Sequence, residues 1–159
     1  MQEHIQNELA SFIANCDWEK IAPHFKEDAA YRVLDWIGCA VAGEHYPQVE
    51  IAQKYFIENG DQGNSTVIGH QTKCSPRTAA FLNGIAGHVC ELDDGHRTAI
   101  GHPGSIAVPT ALALGEHLNA SGADVLKAVI LGYEVFSRLG RTVNPSHYRT
   151  WHTTGTCGT

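Results

Sequence analysis

Apolar residues recur every three to four positions along most of this chain and almost nowhere alternate, which confines it to packed helices. Ile5, Leu9, Phe12, Ile13 and Cys16 mark a first amphipathic helix that stops near Asp17. A second follows Pro23, with Ala30, Val33, Leu34, Ile37 and Val41 on its apolar face and Gly43 placed to end it in the left-handed conformation. A third covers roughly Gln48 to Glu58 and closes at Gly60.

The turn formers of DQGNSTVIGHQTK leave a loop with at most a short extended piece around Thr66-Val67-Ile68. Ser75-Pro76 then reads as an N-cap and first-turn proline. The fourth helix buries Ala79, Leu82, Ala86 and Val89 and frays near Leu92, so that Asp93-Asp94 sits at a helix exit. A fifth helix, from about Ile106 to Asn119, carries Pro109 in its early turns. A sixth opens at the capping pattern Ser121-x-x-Asp124 and runs to about Leu139. After Val143 the chain is polar and Gly-rich, and no terminal helix is expected there. About six helices joined by short connections, with no strand–helix alternation, define an all-α helical-bundle segment.

Composition narrows the function. With 43% hydrophobic and 18% charged residues the chain is an ordinary globular sequence. A net charge of -6 with 11 Lys and Arg leaves no basic stripe for nucleic acid. Cys16, Cys39, Cys74, Cys90 and Cys157 are scattered, odd in number and without a Cys-x-x-Cys pair, as expected of reduced thiols. No signal-peptide pattern opens the chain and no run of about 18 apolar residues interrupts it. These features predict a cytoplasmic protein with neither a membrane nor a nucleic-acid partner.

The chemistry concentrates in one stretch, AAFLNGIAGHVCELDDGHRTAIGHPGSIAVPTALALGE, which sets His88, Glu91, Asp93, Asp94, His96 and His102 among glycines. Together with RVLDWIGCAVAG (Arg32 to Gly43) and SGADVLKAVILGYEVFSRLG followed by WHTTGTCG (Ser121 to Gly158), the segment NGIAGHVCELDDGH…GHPG resembles the MmgE/PrpD family. That family includes 2-methylcitrate dehydratase, cis-aconitate decarboxylase and iminodisuccinate epimerase. The order and spacing of the three motifs carry the resemblance, which spans most of the chain. Family members are far longer. The resemblance therefore implies that residues 1–159 form the N-terminal part of a helical domain, without the α/β lid inserted in that domain.

A further implication is acid–base chemistry without metal or organic cofactor, on a small polycarboxylate such as 2-methylcitrate, in a homodimeric parent lyase. Dehydration is the first expectation; decarboxylation or epimerisation of a related di- or tricarboxylate is the alternative. The resemblance puts a catalytic lysine and a further histidine downstream of Thr159. On that view the 159-residue chain alone is inactive, self-associates through exposed helix faces, or is a non-catalytic remnant.

His102 matches the family's His-Pro-Gly histidine and is the expected general acid/base or carboxylate contact; alternatively it caps the following helix. Asp93 and Asp94 match the Asp-Asp pair, one of them orienting a histidine or binding a substrate hydroxyl, or else N-capping a turn. Glu91 is a candidate substrate contact or a solvated helix face. Gly95 stands where the family often has a hydroxyl residue. Thr98 can supply that hydroxyl, His96 a proton carrier and Arg97 a carboxylate clamp, unless all three are plain loop residues. His152 and Thr154 match the His-Thr-Gly segment and either line the pocket or start a helix.

His88 is expected to hydrogen-bond within the core, and Tyr133 and Glu134 to bond between helices. The remaining histidines, His4, His24, His45, His70, His117 and His147, read as surface residues. A metal hydrolase is the weakest reading, because no two histidines share one helical turn at i, i+3 or i, i+4.

Overall fold

The computed structural model describes residues 2–158. Among them are seven α-helices: α1 (Gln2–Ala14), α2 (Pro23–Gly43), α3 (Pro47–Glu58), α4 (Pro76–His88), α5 (Gly104–Leu118), α6 (Gly122–Val143) and α7 (Thr153–Cys157). Two 3-10 turns, Trp18–Lys20 and His147–Arg149, join them. The only pairing of strands among the described residues is a two-residue antiparallel ladder, β1 (Ser65–Thr66) with β2 (Lys73–Cys74). The all-α expectation therefore holds. No described helix is long and apolar enough to cross a membrane.

Helix α4 is the centre of the packing, flanked by α2 and α5, with α6 against α5. Trp36, Ala40, Val49, Ala86, Val108 and Val129 form one buried cluster. Val67, Cys74, Ala79, Leu82 and Ala113 form a second, beneath the ladder. Asn83 ties α4 to the loop above it: its Oδ1 accepts from the Ile68 amide at 2.8 Å and its Nδ2 donates to the Thr66 carbonyl at 2.9 Å. The caps read from sequence are present. Ser75 Oγ accepts from Thr78 N at 3.4 Å, and Ser121 Oγ accepts from Asp124 N at 3.2 Å.

Other details differ from expectation. Helix α1 stops at Ala14, and Asp17 instead caps the following 3-10 turn, its Oδ1 accepting from Glu19 N at 3.1 Å. The stripe of α1 is mostly open, with Ile5 65% and Phe12 48% exposed.

On α2 the innermost residues are Ala29, Trp36, Cys39, Ala40 and Gly43. Val33 and Ile37 pack against the core, but Leu34 is 65% and Val41 51% exposed. Because α2 is apolar around much of its circumference, periodicity alone does not choose its inner side. Close packing does. The Trp36 indole lies over Gly87, where an added Cβ would come within 2.5 Å of its Nε1.

Gly43 is not left-handed; it is the last residue of α2, pressed against the Ala86 carbonyl of α4. Helix α4 ends at His88, well before Leu92, and Glu91 turns the chain at φ 50 with its amide on the His88 carbonyl at 2.8 Å. Helix α6 runs on to Val143. The polar tail folds as well: Thr153 and Thr154 are buried in α7, and Asn144 Nδ2 donates to Thr153 Oγ1 at 3.0 Å.

Candidate active site

The end of α4, the loop after it, the turn before α5 and the start of α7 meet at one place. Residues 96–101 form a tight loop, with the His96 amide on the Gly101 carbonyl and the Ile100 amide on the His96 carbonyl, each at 2.8 Å. Gly101 has no room for a side chain, since a Cβ there would lie 2.8 Å from Phe136 Cζ and 3.1 Å from Thr154 Oγ1. The loop delivers His102 next to α7, where its amide donates to Thr154 Oγ1 at 2.9 Å. Ser105 Oγ donates back to the His102 carbonyl at 2.9 Å. Backbone contacts thus fix this turn from both sides.

The Asp93 side chain is wholly buried between two imidazoles. His88 Nδ1 lies 3.0 Å from Asp93 Oδ1 and 3.1 Å from Oδ2. His102 Nδ1 lies 3.5 Å from Asp93 Oδ2, too long for a hydrogen bond, so this buried nitrogen has no hydrogen-bond partner. A carboxylate out of reach of water is tolerable only where donors or positive charge face it, and the imidazoles are those groups. The His88 and His102 ring centres are 4.7 Å apart, and that of His152 is 6.2 Å and 6.4 Å from them.

Asp94 faces elsewhere. Its Oδ2 accepts from Arg32 at 2.9 Å and its Oδ1 accepts from the Gly104 amide at 3.1 Å, so it braces the start of α5 against α2. Burial first, and then the Asp94 charge, pushes the Tyr133 phenol well above the ordinary tyrosine range. The Arg32 guanidinium lies 5.2 Å from the Tyr133 ring centre. Its hydrogen bond with Asp28 holds Arg32 above its usual value despite partial burial. Tyr133 thus meets α2 through Arg32, whereas Glu134 pairs with Arg138 on its own helix and not between helices.

Two clefts adjoin along Gly95, His96 and Arg97. One, of about 350 Å³, is lined by His96, Arg97, His102, Tyr148 and His152. The other, of about 510 Å³, carries Arg32, Arg97, Arg138 and Arg141. Asp28, Asp94 and Glu134 line it as well and pair with Arg32 and Arg138, which leaves Arg97 and Arg141 as the arginines placed to face an anion.

Of the residues picked from sequence, the fold brings Asp93, His102, His152 and Thr154 together and sets His96 and Arg97 on the rim of the cleft. His96 Nδ1 accepts from the Ala99 amide at 3.1 Å. Glu91 and Thr98 are exposed and outside the cluster, and Asp94 is engaged in its brace. His88 hydrogen-bonds to a buried partner as expected, but that partner is Asp93, which places it in the cluster, and Tyr148, whose ring centre is 6.0 Å from that of His152, was not singled out from sequence. The five-residue spacing of His88 and Asp93 across a helix exit was the available signal.

A buried carboxylate beside two imidazoles, one of which lines a cleft with Arg97, can hold and deliver a proton. The chain belongs to the MmgE/PrpD family: the model of the MmgE/PrpD N-terminal domain matches residues 7–159. A cis-aconitate decarboxylase-like protein of Aspergillus oryzae is 30% identical over 158 residues, covering 94% of this chain and 33% of that protein. The cis-aconitate decarboxylase of Aspergillus terreus is 32% identical over 155 residues, 93% of this chain and 32% of the relative. The human cis-aconitate decarboxylase is 35% identical over 112 residues, 67% of this chain and 23% of the relative. The chain spans about a third of the length of the fungal relatives.

Proposed function

We propose that this chain is the N-terminal part of a cofactor-free lyase for small polycarboxylates, in which His102 moves a proton and Asp93 positions it. The observation that carries this reading is the contact of His102 Nδ1 with the buried Asp93. With Nδ1 turned toward the carboxylate, Nε2 is the atom left for exchange with substrate. Arg97, on the border of the two clefts, is placed to meet a substrate carboxylate, with His96 and His152 beside it.

The relatives favour decarboxylation of a cis-aconitate-like tricarboxylate over dehydration of 2-methylcitrate. Decarboxylation breaks a carbon–carbon bond, releases carbon dioxide, moves the electron pair across the neighbouring double bond and takes up one proton on carbon. One well-placed acid suffices. Dehydration needs a base for the α-proton and an acid for the departing hydroxyl. The test offers cis-aconitate and 2-methylcitrate separately to the full-length parent and follows products by NMR. Carbon dioxide and a shifted double bond are expected from the first substrate; water loss from the second alone would reverse the assignment.

The parent is also expected to be a homodimer built through its helical domain, a reading supported by the open apolar face of α2, where Tyr31, Leu34 and Val41 are exposed. Sedimentation of the parent and of Leu34→Glu tests this face. The substitution should shift the mass toward monomer, and an unchanged dimer would remove α2 from the interface.

A further inference from the structure

The three groups that meet at Asp93 are also metal ligands by type. One donor atom from each of His88, Asp93 and His102 lies within 4.8 Å of the others. A tetrahedral zinc ion with nitrogen and oxygen ligands at about 2.0–2.1 Å holds neighbouring donor atoms about 3.3 Å apart. Two of the three edges already have about that length: Asp93 Oδ2 lies 3.1 Å from His88 Nδ1 and 3.5 Å from His102 Nδ1. Imidazole rings on one such ion have their centres about 5 Å apart, and the His88 and His102 centres are 4.7 Å apart.

His102 Nδ1 is buried and engaged in no hydrogen bond, so recruiting it breaks none. The side chain of Asp93 is wholly enclosed, which fixes the central ligand. His152, with its ring centre 6.2 Å and 6.4 Å from the other two, lies beside these three donors, and the remaining position of a four-coordinate ion is left to it or to water. No two histidines of the sequence share one helical turn. These donors come instead from a helix end, a loop and a turn.

We propose that His88, Asp93 and His102 form a binding site for a divalent cation of the zinc class, and that its occupation blocks proton transfer by engaging the imidazole and carboxylate groups the reaction uses. The binding half stands on geometry alone; the blocking half rests on the acid–base reading above.

Zinc chloride is titrated by calorimetry into the chelator-treated 159-residue chain. One equivalent should bind, with affinity at least tenfold weaker in His88→Ala and in His102→Ala and unchanged in His117→Ala. Circular dichroism checks the fold, and His88→Gln serves if the alanine variant unfolds. Cobalt(II) in the same site should show tetrahedral visible bands without a thiolate charge-transfer band. Absence of binding, binding indifferent to both histidines, or a thiolate band placing the ion on cysteine would each overturn the site. In the full-length parent zinc should suppress turnover, and full activity with one zinc bound would overturn the blocking half. A parent inactive on every polycarboxylate would defeat the functional reading while leaving the binding result intact.

Discussion

His102→Ala in the full-length parent lowers kcat by about 10²- to 10⁴-fold while circular dichroism stays that of the wild type. That range is what a positioned general acid or base contributes. The backbone turn survives the substitution, because its hydrogen bonds to Thr154 and Ser105 run through the His102 amide and carbonyl and not through its ring. Steady-state kinetics distinguish two roles. A proton-transfer residue shows its loss in kcat, whereas a group that only holds a substrate carboxylate shows it in KM. Unimpaired turnover would remove His102 from the chemistry altogether.

The second large effect is on stability. In Gly43→Ala the new methyl would fall on the Ala86 carbonyl oxygen of α4 and 2.8 Å from Val89 Cγ1. Backbone cannot swing aside as a side chain can, so α2 and α4 must separate. Overpacking costs about 1–3 kcal/mol, and a clash with backbone belongs near the top of that range. A melting temperature on the order of 10 °C lower follows. Gly38→Ala, on the same helix but with no atom within 4 Å of the added Cβ, is the matched control. It should instead stabilise the chain by about 0.4–1 kcal/mol. Thermal unfolding of the pair measures both, and equal shifts would refute the packing argument.

Signals that act locally were legible in the sequence. Ser75-Pro76, Ser121-x-x-Asp124 and Gly60 state their caps within a few residues, and the helices they bound were found within a few positions. What depends on distant neighbours was not. Nothing near Trp36 says that Gly87 will lie beneath its indole, so the inner face of α2 was placed partly on Leu34 and Val41. Gly43 looked like a helix terminator because glycine serves both positive φ and close approach, and only the partner helix decides which.

The site divides in the same way. Asp93 and His102 stand in a recognisable motif, but His88 joins them only because α4 stops at His88 and the Glu91 turn folds Asp93 back toward it. Asp94, beside Asp93 in sequence, faces Arg32 and Gly104, because consecutive residues in this loop point to different neighbours. Tyr148 lay in a stretch that read as polar tail.

The bond from the His102 amide to Thr154 joins positions 52 residues apart. It bears on the order in which the protein comes into being. A chain leaving the ribosome completes α2, α4, α5 and α6, and with them most of the interior, before Thr154 emerges. Through that interval the His102 turn lacks its latch and the cleft has neither His152 nor Tyr148 on its wall. The apolar framework of these residues is thus available early, and the turn that carries His102 is latched only when α7 docks.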